Sequence, residues 1–346
     1  MGVSACPRPS SGDDGGIDAG TPRLDAGSPA EDAGSPDGAI PSDAGPSVDA
    51  GCIANVTVIP SPYETNAVAI SDDGELLLLN VAKGVQGWQA ALYSTEVVEL
   101  APGRYRELEA TDLDEYGVVG RVFDSPEINP AQPFLIPLDG GPLRLINDAG
   151  GEALATNAGN VVGEQFNGAG FWMTPDGSIR RSQSAGHLKA VKPPRAGGYR
   201  PIPRLTGLVV DEALQPEFEV SESPSAISRL GSAWAVGGSA GRPTRWNLID
   251  GGAQTLEMGA FAIGNAFAAN ESASIIGGVV VPVTQVDIDD TLAAVWRNGE
   301  LLWTSTHTAE LRIVRIVDSS LDGKIFAAQC RWNGLRKACK LSLTCP

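Results

Sequence analysis

The feature that most limits what this chain can fold into is a repeat. A Gly that follows a polar turn and precedes an aliphatic run recurs in "SDDGELLL" (71–78), "LDEYGVVG" (113–120), "TNAGNVVG" (156–163), "SRLGSAWAVG" (228–237), "ANESASIIG" (269–277) and "SLDGKIFA" (320–327). A degraded seventh copy is "RLTGLVVD" (204–211). A large apolar residue and a tight turn follow in most copies: Tyr93, Ile136, Trp172, Trp246, Trp296 and Trp332, with Phe218 in the weak copy. This alignment places four of the seven tryptophans in one column.

Each copy reads as short strands joined by turns. "NAVAI" suits a crowded interior strand, and "GNVVG" and "SIIGG" are rich in β-branched residues. "PDG", "DGG" and "NG" are hairpin turns, where Asp, Asn and Gly supply positive φ. Seven copies across 52–346 give a period of about 42, within the ~40–45 residues of a four-stranded propeller blade. No window of about 12 residues shows sustained 3.6-residue periodicity, as helical repeats would need. The sequence therefore predicts an all-β fold: a β-propeller of about seven four-stranded blades, with six as the other count.

The grammar from 66 to 343 resembles the bacterial extracellular HAF repeats, named for a His-Ala-Phe tripeptide. The resemblance implies a secreted or surface propeller-like array and no defined activity. Here "AAL", "PFL", "GFW", "TRW", "AVW" and "CRW" stand where the tripeptide would be, so no role of its His carries over.

Residues 1–51 are of another kind. They hold nine acids against two bases, ten Gly and seven Pro, and the first aromatic of the chain is Tyr63. Such a segment buries too little to offset its ordering entropy and reads as a disordered, charge-extended tether. At its head, Val3-Ser4-Ala5-Cys6 resembles the lipobox of bacterial lipoproteins, which implies Cys6 as the lipidated residue. The basic and apolar regions of a signal peptide do not precede it, so the reading requires a start upstream of Met1 or a trimmed signal. Together these imply an exported protein of the bacterial envelope, outer-membrane-anchored or at the cell surface.

The other cysteines, Cys52, Cys330, Cys339 and Cys345, flank the repeats. Residues 53–59 alternate partly as a strand and are placed to complete the last blade. A Cys52–Cys345 disulfide would fasten that join, with Cys330–Cys339 bridging one hairpin. Four cysteines allow three connectivities, and the other two stay open. Placing Cys330 directly opposite Cys339 requires a four-residue loop from Asn333 to Arg336; a two-residue turn at Asn333-Gly334 would set Cys330 against Lys337. The spacing fits no common zinc finger.

Composition narrows the function classes. A formal charge of −17 argues against nucleic acid as a partner. The two histidines, His187 and His307, stand in no catalytic motif. Asp72 with Asp73 and Asp112 with Asp114 read as turn formers. "DIDD" (287–290) lacks the Gly and Glu of a calcium loop. No metal, cofactor or catalytic residue is expected, and the molecule is expected to be a monomer. From 180 to 210 no acid occurs, while Arg180, Arg181, Lys189, Lys192, Arg195, Arg200 and Arg204 collect there. That segment is a candidate for binding an anionic polymer or an acidic protein; its plainer reading is a solvated face paired with acidic neighbours. Two functions remain: a non-enzymatic surface platform for binding or scaffolding, and a propeller hydrolase or lyase on polysaccharide. The absence of an extra His, Glu or Lys at a shared strand position favours the first. Ionisable residues converging at one mouth of the central channel would favour the second.

Overall fold

Alternating small and branched residues bounded by Gly turns produce strands throughout, and no α-helix occurs among the described residues. The computed structural model describes residues 51–346 except 85–86, 124–130, 147–149, 202–204, 221, 223 and 284–290. Cys6, Arg204, the "DIDD" stretch and the tether up to 50 lie outside the described residues.

Among the described residues, twenty-eight strands build seven antiparallel blades. β1 (Ile53–Val58) comes first and belongs to the last blade. Blade one is β2 (Thr65–Ile70), β3 (Leu77–Ala82), β4 (Trp88–Tyr93) and β5 (Val97–Glu99). Blade two is β6 (Glu107–Leu113), β7 (Gly117–Phe123), β8 (Gln132–Pro137) and β9 (Arg144–Leu145). A parallel bridge, Gln89 to Leu108, links these two sheets. Blade three is β10 (Glu152–Asn157), β11 (Asn160–Glu164), β12 (Gly170–Met173) and β13 (Ile179–Ser182). Blade four is β14 (His187–Lys192), β15 (Arg195–Arg200), β16 (Thr206–Asp211) and β17 (Pro216–Glu219). Blade five is β18 (Ser225–Leu230), β19 (Trp234–Ser239), β20 (Arg242–Asn247) and β21 (Ala253–Thr255). Blade six is β22 (Phe261–Ala269), β23 (Ile275–Pro282), β24 (Leu292–Arg297) and β25 (Glu300–Thr304). Blade seven is β26 (Leu311–Ser319), β27 (Ile325–Trp332) and β28 (Leu335–Thr344), with β1 as its outermost strand. The first strand of each blade packs beside its counterparts, β2 against β6 and β26 and so on around the ring.

The ring closes as the sequence predicts. β1 pairs antiparallel with β28, Ile53 opposite Thr344, and Cys52 is bonded to Cys345. Cys330 and Cys339 are also bonded, but not through the expected loop. Asn333-Gly334 forms a two-residue turn with both φ positive, and Cys330 sits opposite Lys337. The bridge runs diagonally to Cys339, two residues on and on the same face. Its Cα–Cα distance of 6.1 Å lies within disulfide reach.

Two alignments need correction. "RLTGLVVD" belongs largely to the third strand of blade four; the matching turn is Lys192 to Arg195, where Pro193-Pro194 replaces the usual Gly signal. The tryptophans do not share one column either. Trp246 and Trp296 lie on third strands and pack toward the preceding blade, whereas Trp172 packs toward the following one. Trp332 ends the second strand of blade seven. A one-residue offset along a strand reverses the face, and sequence spacing in a loop-rich repeat does not resolve one residue.

The second Gly of the repeat has a mechanical reason. Every innermost strand carries a β-bulge, for example between Ala110 and Asp112, Ala153 and Ala155, and Ile227 and Arg229. The bulge pushes a carbonyl toward the neighbouring strand. A Cβ on Gly120, Gly163, Gly198, Gly237 or Gly278 would overlap the carbonyl oxygen of Glu109, Glu152, His187, Ala226 or Asn265 respectively. The bulge also re-aims the residue that follows it, which is where the site is built.

Candidate functional site

The residue after the bulge is Ala69, Ala155, Ala190 and Ala268 in four blades. In the other three it is Asp112, Arg229 and Asp318. Both carboxylates are buried, and each uses one oxygen to tie the next blade's innermost strand. Asp112 Oδ2 accepts the Thr156 N–H at 2.8 Å, and Asp318 Oδ2 accepts that of Ile70 at 3.0 Å. Arg229, from blade five, reaches Asp318 of blade seven at 3.5 Å with 30% of its side chain still accessible. It lies in the field of Asp72, Asp112 and Glu271 as well, and the acids raise its pKa, Asp318 most. Burial pushes Asp112 up to about 7 against the opposing pull of Arg229, with the Asp318 charge adding to the rise. Burial likewise raises Asp318.

Above this trio is a cavity of about 40 Å³ lined in part by Asp72, Asp112, Lys189, Lys192, Arg229 and Glu271. Ionisable groups from blades one, two, four, five and six, or from the turns after their first strands, thus converge at the end of the channel where the innermost strands finish. The volume decides what can enter. Liquid water occupies ≈30 Å³ per molecule and ligand pockets run ≈300–1,000 Å³, so the space admits a water or one functional group.

A second polar row follows the wall of blades two to four. Arg121 bonds Glu109 through Nε at 2.8 Å and approaches Glu152 at 3.6 Å. Glu164 contacts His187 Nδ1, His187 stacks on Tyr199 at 4.6 Å, and Lys189 lies 4.9 Å over the same ring. Burial, then the Lys189 charge, holds His187 below its ordinary value. Burial also lowers Lys189, whose side chain water reaches from the channel, and raises Glu152.

The basic residues picked out by sequence are dispersed. Lys189 and Lys192 stand at the channel, Lys192 at 3.5 Å from Glu271. Arg195 pairs with Glu217 at 2.6 Å and Arg200 with Glu219 at 2.8 Å, while Arg180 donates to the Glu212 carbonyl. Arg181 is exposed on β13. The compensating carboxylates, Glu217 and Glu219, lie just past the acid-free window on β17. His187 is on blade four and His307 in the segment between blades six and seven. Asp73 is a turn former: it accepts from Ser71 Oγ at 2.6 Å and Glu75 N at 2.9 Å. Asp114 similarly holds the Tyr116 and Gly117 amides, and it reaches Thr156 and Gly159 of blade three.

Asp112 corrects the sequence reading, being a channel residue and not a turn former. The expected absence of an extra His, Glu or Lys at a shared strand position is corrected as well, because Glu109, Glu152 and His187 occupy one such position. Arg229 and Asp318 were not singled out at all. Their signal was present, as Asp and Arg standing where other copies have Ala. It becomes visible only once the bulge aligns the innermost strands.

By fold this is a seven-bladed β-propeller. Two solved structures with the same architecture are oligogalacturonate lyases. One, in complex with manganese, has a TM-score of 0.53 and 12% identity over 86% of this chain and 95% of that one. The other, from Vibrio parahaemolyticus, has a TM-score of 0.53 and 9% identity over 84% and 97%. At such identity the likeness is one of fold. No protein-family model matches the chain, and no curated protein does. Among the described residues no three His, Cys, Asp or Glu side chains come together as a metal centre.

Proposed function

We propose that this chain is an exported, lipid-anchored binding protein whose ligand site is the charged end of the propeller channel. Cys6 would carry the anchor and the acidic segment after it would hold the propeller off the envelope. The lipobox-like start and the HAF-like repeats support that placement, and the two disulfides fit an oxidising compartment. The observation that carries the binding role is the trio Asp112, Arg229 and Asp318, in a column where four blades manage with Ala. Buried ion pairs are often no more stable than apolar packing, so blade cohesion alone is a poor reason for them. The cavity volume favours docking one polar or charged group of a ligand over enclosing a whole substrate.

A thermal-shift and calorimetric screen of small carboxylates, amines and sugar acids tests this. The expected result is a hit whose affinity falls at least tenfold in Arg229→Gln. A hit bound equally by a folded Arg229→Gln, or no hit at all, would sink the channel site.

A polysaccharide hydrolase or lyase is the second reading. It is favoured by Asp112, which burial pushes up to about 7 beside the cavity, since acid–base groups work best near the ambient pH. The two lyase neighbours make oligogalacturonate the first substrate to try. Product formation that disappears in Asp112→Asn would establish it.

A further inference from the structure

The lining of the channel cavity narrows the kind of group that enters it. Donors and acceptors are mixed there. Arg229, Lys189 and Lys192 only donate, while Asp72, Glu271 and ionised Asp112 only accept. Several are already engaged: Arg229 with Asp318, Lys192 with Glu271, and Asp112 Oδ2 with the Thr156 N–H. Ser319 Oγ, which donates and accepts, is buried in the lining with no hydrogen-bond partner within the protein. The turns after all seven innermost strands belong to the described residues, so these are the groups that the turns bring to this mouth.

Charge then discriminates between ligands. A carboxylate would face Asp72, Glu271 and Asp112, and an ammonium would face Arg229, Lys189 and Lys192. Either meets like charges at close range. A hydroxyl donates to one set and accepts from the other, carries no charge, and is close in size to the water that a cavity of about 40 Å³ admits. It also suits Asp112, which burial pushes up to about 7: the carboxylate accepts from a hydroxyl and the acid donates to it.

An aromatic wall stands beside these polar groups. Trp234, the first residue of β19, lines the cavity and is half-buried. Its indole lies against Gly231, where any Cβ would overlap the ring. Its Nε1–H donates to the Glu271 carbonyl of blade six at 2.8 Å, which fixes the ring and satisfies its polar atom. What remains to offer a ligand is apolar ring surface. A sugar pairs an apolar C–H face with a rim of hydroxyls, and so matches a fixed aromatic ring next to a hydroxyl-sized polar cavity.

We infer that the channel site proposed above, on which this reading rests, takes a neutral sugar residue of an oligosaccharide. One hydroxyl enters the cavity, with Arg229 and Ser319 donating to its oxygen and Asp112 accepting its hydrogen, and the sugar ring lies on Trp234.

The test is calorimetric titration of the full chain with neutral gluco-, galacto- and manno-tetrasaccharides, each beside its tetra-uronate and its amino-sugar tetramer. A neutral tetrasaccharide should bind saturably, with little dependence on salt, and more tightly than either charged form. Trp234→Ala and Arg229→Gln should each weaken it by about tenfold, and Trp234→Phe should restore most of the loss. Ser319→Ala removes no hydrogen bond within the protein, should fold as the wild type does, and should weaken binding by about threefold. Binding left unchanged in Ser319→Ala and in a folded Trp234→Ala overturns the sugar site. A uronate or amine bound more tightly, with Arg229 required and Trp234 not, overturns the neutral sugar and leaves the channel site standing. Binding of none of the probes overturns both.

Discussion

Blade three takes its four strands from one unbroken stretch of chain, Glu152 to Ser182, whereas blade seven borrows its outermost strand from the other terminus. Blade three has strands of six, five, four and four residues, no disulfide, and Trp172 fully buried with Nε1 bonded to Asn160. Blade seven has strands of nine, eight and ten residues plus β1, and both disulfides. The difference follows from loop closure. Neighbouring strands in blade three meet across turns of a few residues, while β1 meets β28 only after nearly the whole domain has been ordered. Long strands and a covalent clasp offset that entropy.

Removing the clasp should have the largest effect on this contrast. The Cys52–Cys345 bridge joins residues 293 apart, for which the chain-entropy model gives on the order of 5 kcal/mol. In Cys52→Ser with Cys345→Ser, denaturant unfolding should shift by several kcal/mol. Hydrogen exchange should show β1 and β28 losing protection before blade three. Uniform loss of protection would mean the seam is no weaker than the rest.

A smaller, pH-dependent effect belongs to the channel. Asp112 rises from an ordinary 3.8 to about 7 on folding, so between those values the folded state binds more protons than the unfolded one. Stability should therefore fall as pH climbs through that window and level off above it. Asp112→Asn keeps an acceptor for Thr156 and removes the titration. It should stabilise the protein at pH 8, by on the order of 1–3 kcal/mol, and change little at pH 4. Identical pH slopes in the two proteins would place the titration elsewhere.

The hairpin bridge should matter least. Cys330 and Cys339 are nine residues apart and already aligned by the Asn333-Gly334 turn. Their double Ser variant should cost about 1–3 kcal/mol in the same unfolding experiment, well below the seam. An equal or larger loss would show that the bridge braces blade seven and does not merely close a hairpin.

Much of the architecture was legible because it depends on local chemistry. Asp-Gly and Asn-Gly turns, branched strand residues and a period near 42 specify hairpins and blades without long-range information. The cysteines at the two ends then pointed to the seam. The misplaced fourth copy shows the limit: Pro193-Pro194 makes the same turn with different chemistry, so a pattern keyed to Gly slid onto β16. The channel charges were illegible for a related reason. Asp112, Arg229 and Asp318 are separated by more than 80 residues at each step and acquire a common role only through the bulge.

The sequence alone determined that residues 52–346 form a ring of β hairpins, because turn and strand preferences act within a few residues. Tertiary structure decided which face each side chain takes and which charges meet across the channel. A bulge shifts side-chain direction by one residue, and ring closure brings blades five and seven to one point. It also decided that Arg195 and Arg200 are neutralised by Glu217 and Glu219, since the partner of a charge is set by strand register and not by its neighbours in sequence.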